Sequence, residues 1–198
     1  MKKLFDSPKI LIVLILIFIA VIVNRETISN TIKKAITHFF SDDNYVEQWQ
    51  IKPENVYDGD TLRIFKDNEE LIVRLCGIDA PEMLQTFGVE SRDYLRTLID
   101  KSNGTIHILP IKDNRSKITI VEAWITIEPD YEEQIHLNTA MLEAGLAYHY
   151  KKYSSNCKSV ENLVRAAKIG SEKRLSNYCC LEELPPWEWR KANELRLD

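Results

Sequence analysis

An α+β fold, a small β-barrel with helices packed against it, is what this sequence predicts. Three observations carry the prediction. Val46 to Leu75 alternates like paired strands, two further β-rich runs follow at Thr105–Leu109 and Ile118–Ile127, and the helical patterns, apart from one at Gly88–Ile99, follow the strands. The 198 residues hold 44% hydrophobic and 28% charged side chains with 6 Gly and 7 Pro, which fits one packed domain plus an appendage and excludes a disordered or collagen-like chain.

The appendage is N-terminal. Ile10 to Val23 reads ILIVLILIFIAVIV, with Lys2, Lys3 and Lys9 before it and Asn24, Arg25 and Glu26 after. As a helix it is about 21 Å long, short of a roughly 30 Å hydrocarbon core unless Leu4, Phe5 and snorkelling lysines extend it. The length also suits a signal-peptide core, although no small-x-small cleavage site closes the run. Residues 1–25 therefore read as a membrane anchor or signal segment, 26–44 as a polar tether with Ile28, Ile32 and Ile36 at helical spacing, and 45–198 as the body. The lysines before the run predict a cytoplasmic N-terminus and a body on the extracytoplasmic side, as a single-pass anchored or a secreted protein.

In the body, Leu62 and Ile64 alternate with Thr61 and Arg63, Asp67 to Glu70 supplies a turn, and Leu71, Val73 and Leu75 face away from Ile72 and Arg74. Gly88–Ile99 reads as a helix with Tyr94, Leu95, Leu98 and Ile99 as its stripe, stopped by Ser102-Asn103-Gly104. Asn138 is the expected N-cap of a helix ending at Gly145, and Ser159 that of a helix through Lys173 with Val160, Leu163, Val164 and Ala167 inward. Cys157 can bridge Cys179 or Cys180 in an exported body; the alternative is four reduced thiols with Cys76 buried. Trp187 and Trp189 read as a tail packed onto the domain, and His149 as surface packing rather than a general acid.

Two acidic segments stand out, Tyr57-Asp58-Gly59-Asp60-Thr61 and Arg74-Leu75-Cys76-Gly77-Ile78-Asp79-Ala80-Pro81-Glu82. Each alone reads as a turn or strand end. The strands they bound are hairpin partners, so Asp60 and Asp79 can converge at one end of the barrel. Two carboxylates and a main-chain carbonyl form a hard-oxygen site suited to Ca²⁺. Arg74 is then placed to grip phosphate oxygens, and Glu82 to act as a base for water.

Here the sequence resembles the thermonuclease family, the staphylococcal-nuclease-like domains, from about Val46 to Lys191. VYDGDTLRI and IVRLCGIDAPE carry the resemblance, with FGVESRDYLRTLI, LNTAMLEAGLAYHYKKYS and PPWEWRK in support. It implies an OB-fold five-stranded barrel with about three packed helices and Ca²⁺-dependent hydrolysis of DNA or RNA that leaves 3′-phosphates. Carried over by position, Asp60, Asp79 and the Ala80 carbonyl would hold Ca²⁺, Glu82 would activate water, and Arg74 would hold the phosphate. Tyr150, Lys151 and Tyr153 would lie on the substrate side. The family's second catalytic arginine follows an Asp-x-Tyr-Gly motif. This chain reads Asp113-Asn114-Arg115-Ser116-Lys117, so Lys117 or the nearby Arg115 would replace it. That departure supports the alternative of a weak or inactive nuclease-like module binding nucleic acid or protein at the membrane. No obligate protein partner is implied.

The formal charge of −4 does not exclude nucleic acid. Asp58, Asp60, Asp79 and Glu82 concentrate acid at the proposed metal site, and Glu122, Glu128, Asp130, Glu132 and Glu133 read as a solvated hairpin. Lys151, Lys152, Lys158, Arg165, Lys168, Lys173 and Arg174 make a basic stretch, which predicts salt-sensitive binding through one face.

Overall fold

The computed structural model describes residues 46–111, 118–127, 134–177 and 184–194. The N-terminal apolar run, the tether, Arg115, Lys117, Glu128 to Glu133, Cys179 and Cys180 lie outside the described residues. Among the described residues, no helix is long and apolar enough to cross a membrane.

Five strands close a barrel: β1 (Glu47–Gln50), β2 (Thr61–Lys66), β3 (Glu69–Leu75), β5 (Thr105–Ile111) and β6 (Thr119–Thr126). They run in the order β3-β2-β1-β5-β6, and a parallel β3–β6 pairing shuts the ring with Arg74 opposite Ile120. A further strand, β7 (Gln134–His136), extends the sheet from β6. β4 (Ile78–Asp79) pairs separately with β8 (Tyr148–His149). The alternation read from sequence is observed: Leu62, Ile64, Val73 and Leu75 are fully buried in the barrel with Ile106, Ile108, Val121 and Ile125. Each such burial contributes roughly 1.5–3 kcal/mol over exposure. The β2–β3 turn is tighter than expected, because Lys66 already pairs with Glu69. Only Asp67 and Asn68 remain in it, and Asp67 adopts a left-handed φ of 54°, which Asx residues tolerate.

Five α-helices accompany the barrel among the described residues: α1 (Gly88–Asp100), α2 (Leu137–Glu143), the single turn α3 (Lys151–Ser154), α4 (Val160–Asn177) and α5 (Pro186–Glu194). Leu95, Leu98 and Ile99 bury the inner face of α1, while Tyr94 packs at its margin. On α4 Leu163, Ala166 and Gly170 are buried and Val160 and Ala167 pack against the core as expected, while Val164 is exposed, so the inward stripe is turned only slightly, toward Ala166.

Asn138 is not an N-cap. It sits inside α2, fully buried, accepting from the Ala123 N–H at 3.0 Å and donating to the Cys76 carbonyl at 3.0 Å. The amide thus satisfies backbone groups of other elements instead of its own helix end. Glu122 is likewise buried rather than solvated, accepting from the Ser159 N–H and hydroxyl, each at 2.7 Å. The disulfide also differs from expectation. Cys157 pairs with Cys76 at a Cα–Cα distance of 5.9 Å, joining the end of β3 to the segment before α4.

Candidate active site

The site is built at the mouth of the barrel, where the β2–β3 hairpin meets β4. Asp60 immediately precedes β2, and its position depends on a local turn: the Asp58 carboxylate accepts from the N–H groups of Asp60 (2.9 Å) and Thr61 (2.7 Å). Asp58 is therefore a turn brace, and its charge also acts on the cluster, helping to raise the Asp60 carboxyl and to keep Arg74 charged. Gly59 is required because a Cβ there would collide with Ser91 of α1. Arg74 faces Thr61 across the hairpin, which brings its guanidinium over the Asp60 carboxylate. Gly77, at φ +73°, turns the chain from β3 into β4 and accepts from the Tyr150 N–H at 2.9 Å. A side chain at Gly77 would press on Leu163.

Asp60 and Asp79 are both buried, and a single nitrogen, Arg74 Nη2, donates to Asp60 Oδ2 at 2.9 Å and Asp79 Oδ1 at 2.7 Å. Asp60 Oδ2 also accepts from the Ala80 N–H at 2.8 Å, and Asp60 Oδ1 from the Thr61 hydroxyl at 2.8 Å. Ala80 thus reaches the acids through its N–H, whereas the sequence reading used its carbonyl. Burial pushes the Asp60 carboxyl up to about 7, opposed chiefly by the Arg74 charge. Desolvation works against the Arg74 charge, but Asp60 and Asp79 outweigh it and hold the guanidinium more firmly protonated than usual.

Arg190 is a member of the cluster to which the sequence does not point. It reaches from α5 and donates to Asp79 Oδ2 at 2.7 Å, to Asp79 Oδ1 at 3.2 Å and to Glu82 Oε1 at 2.6 Å. Its hydrogen bonds to Asp79 and then Glu82 raise its pKa against the cost of burial. Helix α5 is docked by other groups as well. Trp187 stacks on Tyr150 at 5.0 Å with the rings 4° from parallel, and Gln85 Nε2 donates to the Leu184 carbonyl at 2.6 Å. The tryptophan therefore packs, as the sequence predicts, and it does so on a residue expected to meet substrate. Tyr153 lies edge-on to Tyr150 at 4.7 Å, and Lys151 is exposed beside it. His149 is partly buried on β8, opposite Ile78.

Asp60, Asp79, Arg74 and Glu82 are thus brought together, with Tyr150 linked to them through the β4–β8 pairing. Among the described residues, no group of three or more His, Cys, Asp or Glu stands ready to hold a metal ion. The acids meet guanidinium nitrogens instead. The donor set nevertheless fits a hard divalent cation. It consists of oxygens alone, and two carboxylates already converge on one positive centre.

Residues 72–176, more than half of the chain, match the family described as staphylococcal nuclease homologue. The chain belongs to this family. The staphylococcal nuclease homologue match covers Arg74, Asp79 and Glu82 but neither Asp60 nor Arg190. Similar proteins include Protein ParB of Escherichia coli, 26% identical over 72% of this chain and 80% of its own length. Micrococcal nuclease of Shigella flexneri is 24% identical over 70% of this chain and 79% of its own. A Haemophilus influenzae protein named uncharacterized endonuclease is 27% identical over 72% and 73%.

Proposed function

We propose that this nuclease-family domain hydrolyses phosphodiester bonds of DNA or RNA in a Ca²⁺-dependent reaction that leaves 3′-phosphates. The observation that carries the reading is the shared Arg74 nitrogen between two buried carboxylates, with Glu82 beside them at the rim. Asp60 and Asp79 would hold the cation, which when bound polarises the phosphate and offsets its charge. Arg74, about a third exposed, grips a non-bridging phosphate oxygen. Glu82 takes a proton from the attacking water as its oxygen bonds to phosphorus. The P–O5′ bond breaks, and the 5′-oxygen takes up a proton from solvent.

The same reading places the body outside the cytoplasm, anchored by or released from the Ile10–Val23 run. The Cys76–Cys157 disulfide supports an oxidising compartment. One observation favours the non-catalytic alternative: Arg190 already satisfies Asp79 and Glu82. A nuclease assay decides. Full-length protein should cut linear and circular DNA with Ca²⁺ and stop with EDTA; intact substrates at every Ca²⁺ concentration would leave only the binding module.

A further inference from the structure

We propose that Arg190, carried in by α5, is a second phosphate-binding guanidinium of this site, held as a counter-ion over Asp79 and Glu82 until a divalent cation engages Asp79. The inference rests on the nuclease reading and adds a residue and an element to it.

Arg190 and Arg74 both donate to Asp79 Oδ1, at 3.2 and 2.7 Å, so the two guanidinium groups flank one carboxylate oxygen. Both side chains are 32% exposed while Asp79 is completely buried. The cations thus form the accessible lip of the site and the carboxylate its floor. A phosphodiester approaching from solvent meets the guanidinium groups first.

Charge balance points the same way. Once Asp60 is ionised, Asp60, Asp79 and Glu82 outnumber the two arginines, so the metal-free cluster is then slightly acidic and poorly suited to an anion. A divalent cation on Asp60 and Asp79 reverses that sign and removes the need for Arg190 to neutralise Asp79. The planar fork of Arg190, now spread over Asp79 and Glu82, is then free to meet the two oxygens of a phosphate. The helix need not move, because the Trp187–Tyr150 stack and the Gln85–Leu184 hydrogen bond hold α5 independently of Arg190. Proximity to Glu82 keeps the guanidinium at the place where water attacks and negative charge grows.

The test uses full-length protein carrying Arg190→Ala, Arg190→Met and Arg190→Lys, each checked for fold by circular dichroism. Arg190→Met keeps an apolar stem, should alanine loosen α5. Binding of a fluorescent single-stranded oligonucleotide is measured with Ca²⁺ in a Glu82→Gln background, where cleavage is suppressed. Loss of the guanidinium should weaken binding and lower the salt slope by about 0.7, the contribution of one single-strand phosphate contact. Ca²⁺ affinity, read by calorimetry without nucleic acid, should hold or rise because a competing cation is gone. With Glu82 intact, turnover should fall by about 10²–10³-fold. Arg190→Lys should retain the salt slope but lose turnover, since it keeps the charge without the fork. Arg190→Ala and Arg190→Met proteins that bind, titrate with salt and cleave like the parent would overturn the inference and leave the nuclease reading standing. A rise in turnover would overturn it too, showing Arg190 to be a plug. Parent protein that binds without cleaving would sink the nuclease reading instead, and the salt slope would still decide the role of Arg190.

Discussion

Among the described residues carboxylates are buried in two places, and they are held in opposite ways. Asp60 and Asp79 at the barrel mouth are neutralised by Arg74 and Arg190, two cations that remain a third exposed. Glu122 on β6 is held by neutral donors, the Ser159 N–H and hydroxyl, where the chain enters α4. His136 Nε2 stands 3.8 Å from Glu122, beyond hydrogen-bond reach, and burial depresses its pKa more than Glu122 raises it. Burial alone therefore does not mark a site. The mouth cluster has displaceable partners open to solvent, as ligand exchange requires. Glu122 has fixed partners and ties a strand to a helix.

Exchanging the acids should separate these roles. Glu82→Gln should lower Ca²⁺-dependent turnover by about 10²–10⁴-fold with the fold intact, the range lost with a positioned proton acceptor. Equal turnover in a steady-state assay would remove Glu82 from the chemistry. Opening the Cys76–Cys157 bridge by Cys157→Ser should cost about 2–5 kcal/mol in a denaturant titration, because it frees a loop of 81 residues.

Proton competition sharpens the contrast further. Burial raises the Asp60 pKa to about 7, so below that pH a proton must leave before a cation binds. Calorimetric Ca²⁺ affinity should fall about tenfold per pH unit below 7 and level off above it. A flat profile from pH 5.5 to 7.5 would mean that Asp60 is already ionised by Arg74. The smallest effect belongs to Glu122→Gln. It should lower stability by about 1–3 kcal/mol through weakened hydrogen bonds to Ser159, with turnover per folded molecule unchanged.

The mouth cluster was legible because its parts are local. Asp60, Arg74 and Asp79 lie within one hairpin and its continuation, where strand alternation and pairing determine direction. Arg190 was not legible in the same way. It lies 108 residues beyond Glu82, and a guanidinium among tryptophans in PPWEWRK carries no local sign of where the helix docks. Cysteine pairing failed for a similar reason: Cys76 reads as a buried apolar strand residue, and only the closed barrel brings it to Cys157. Asn138 and Glu122 misled because capping and hairpin rules describe residues that solvate themselves locally. Both are instead spent on backbone groups of distant elements. The barrel itself followed from period-two alternation, which survives any loop arrangement.

On the proposed reading the mouth cluster is a cation-assisted phosphodiester-cleaving site. Its most direct test is end-group analysis of a labelled oligonucleotide incubated with full-length protein and Ca²⁺. The account predicts fragments ending in 3′-phosphate that vanish with EDTA and with Asp79→Asn. Cleavage that persists with Asp79→Asn, or an oligonucleotide left intact by the parent protein, would contradict it.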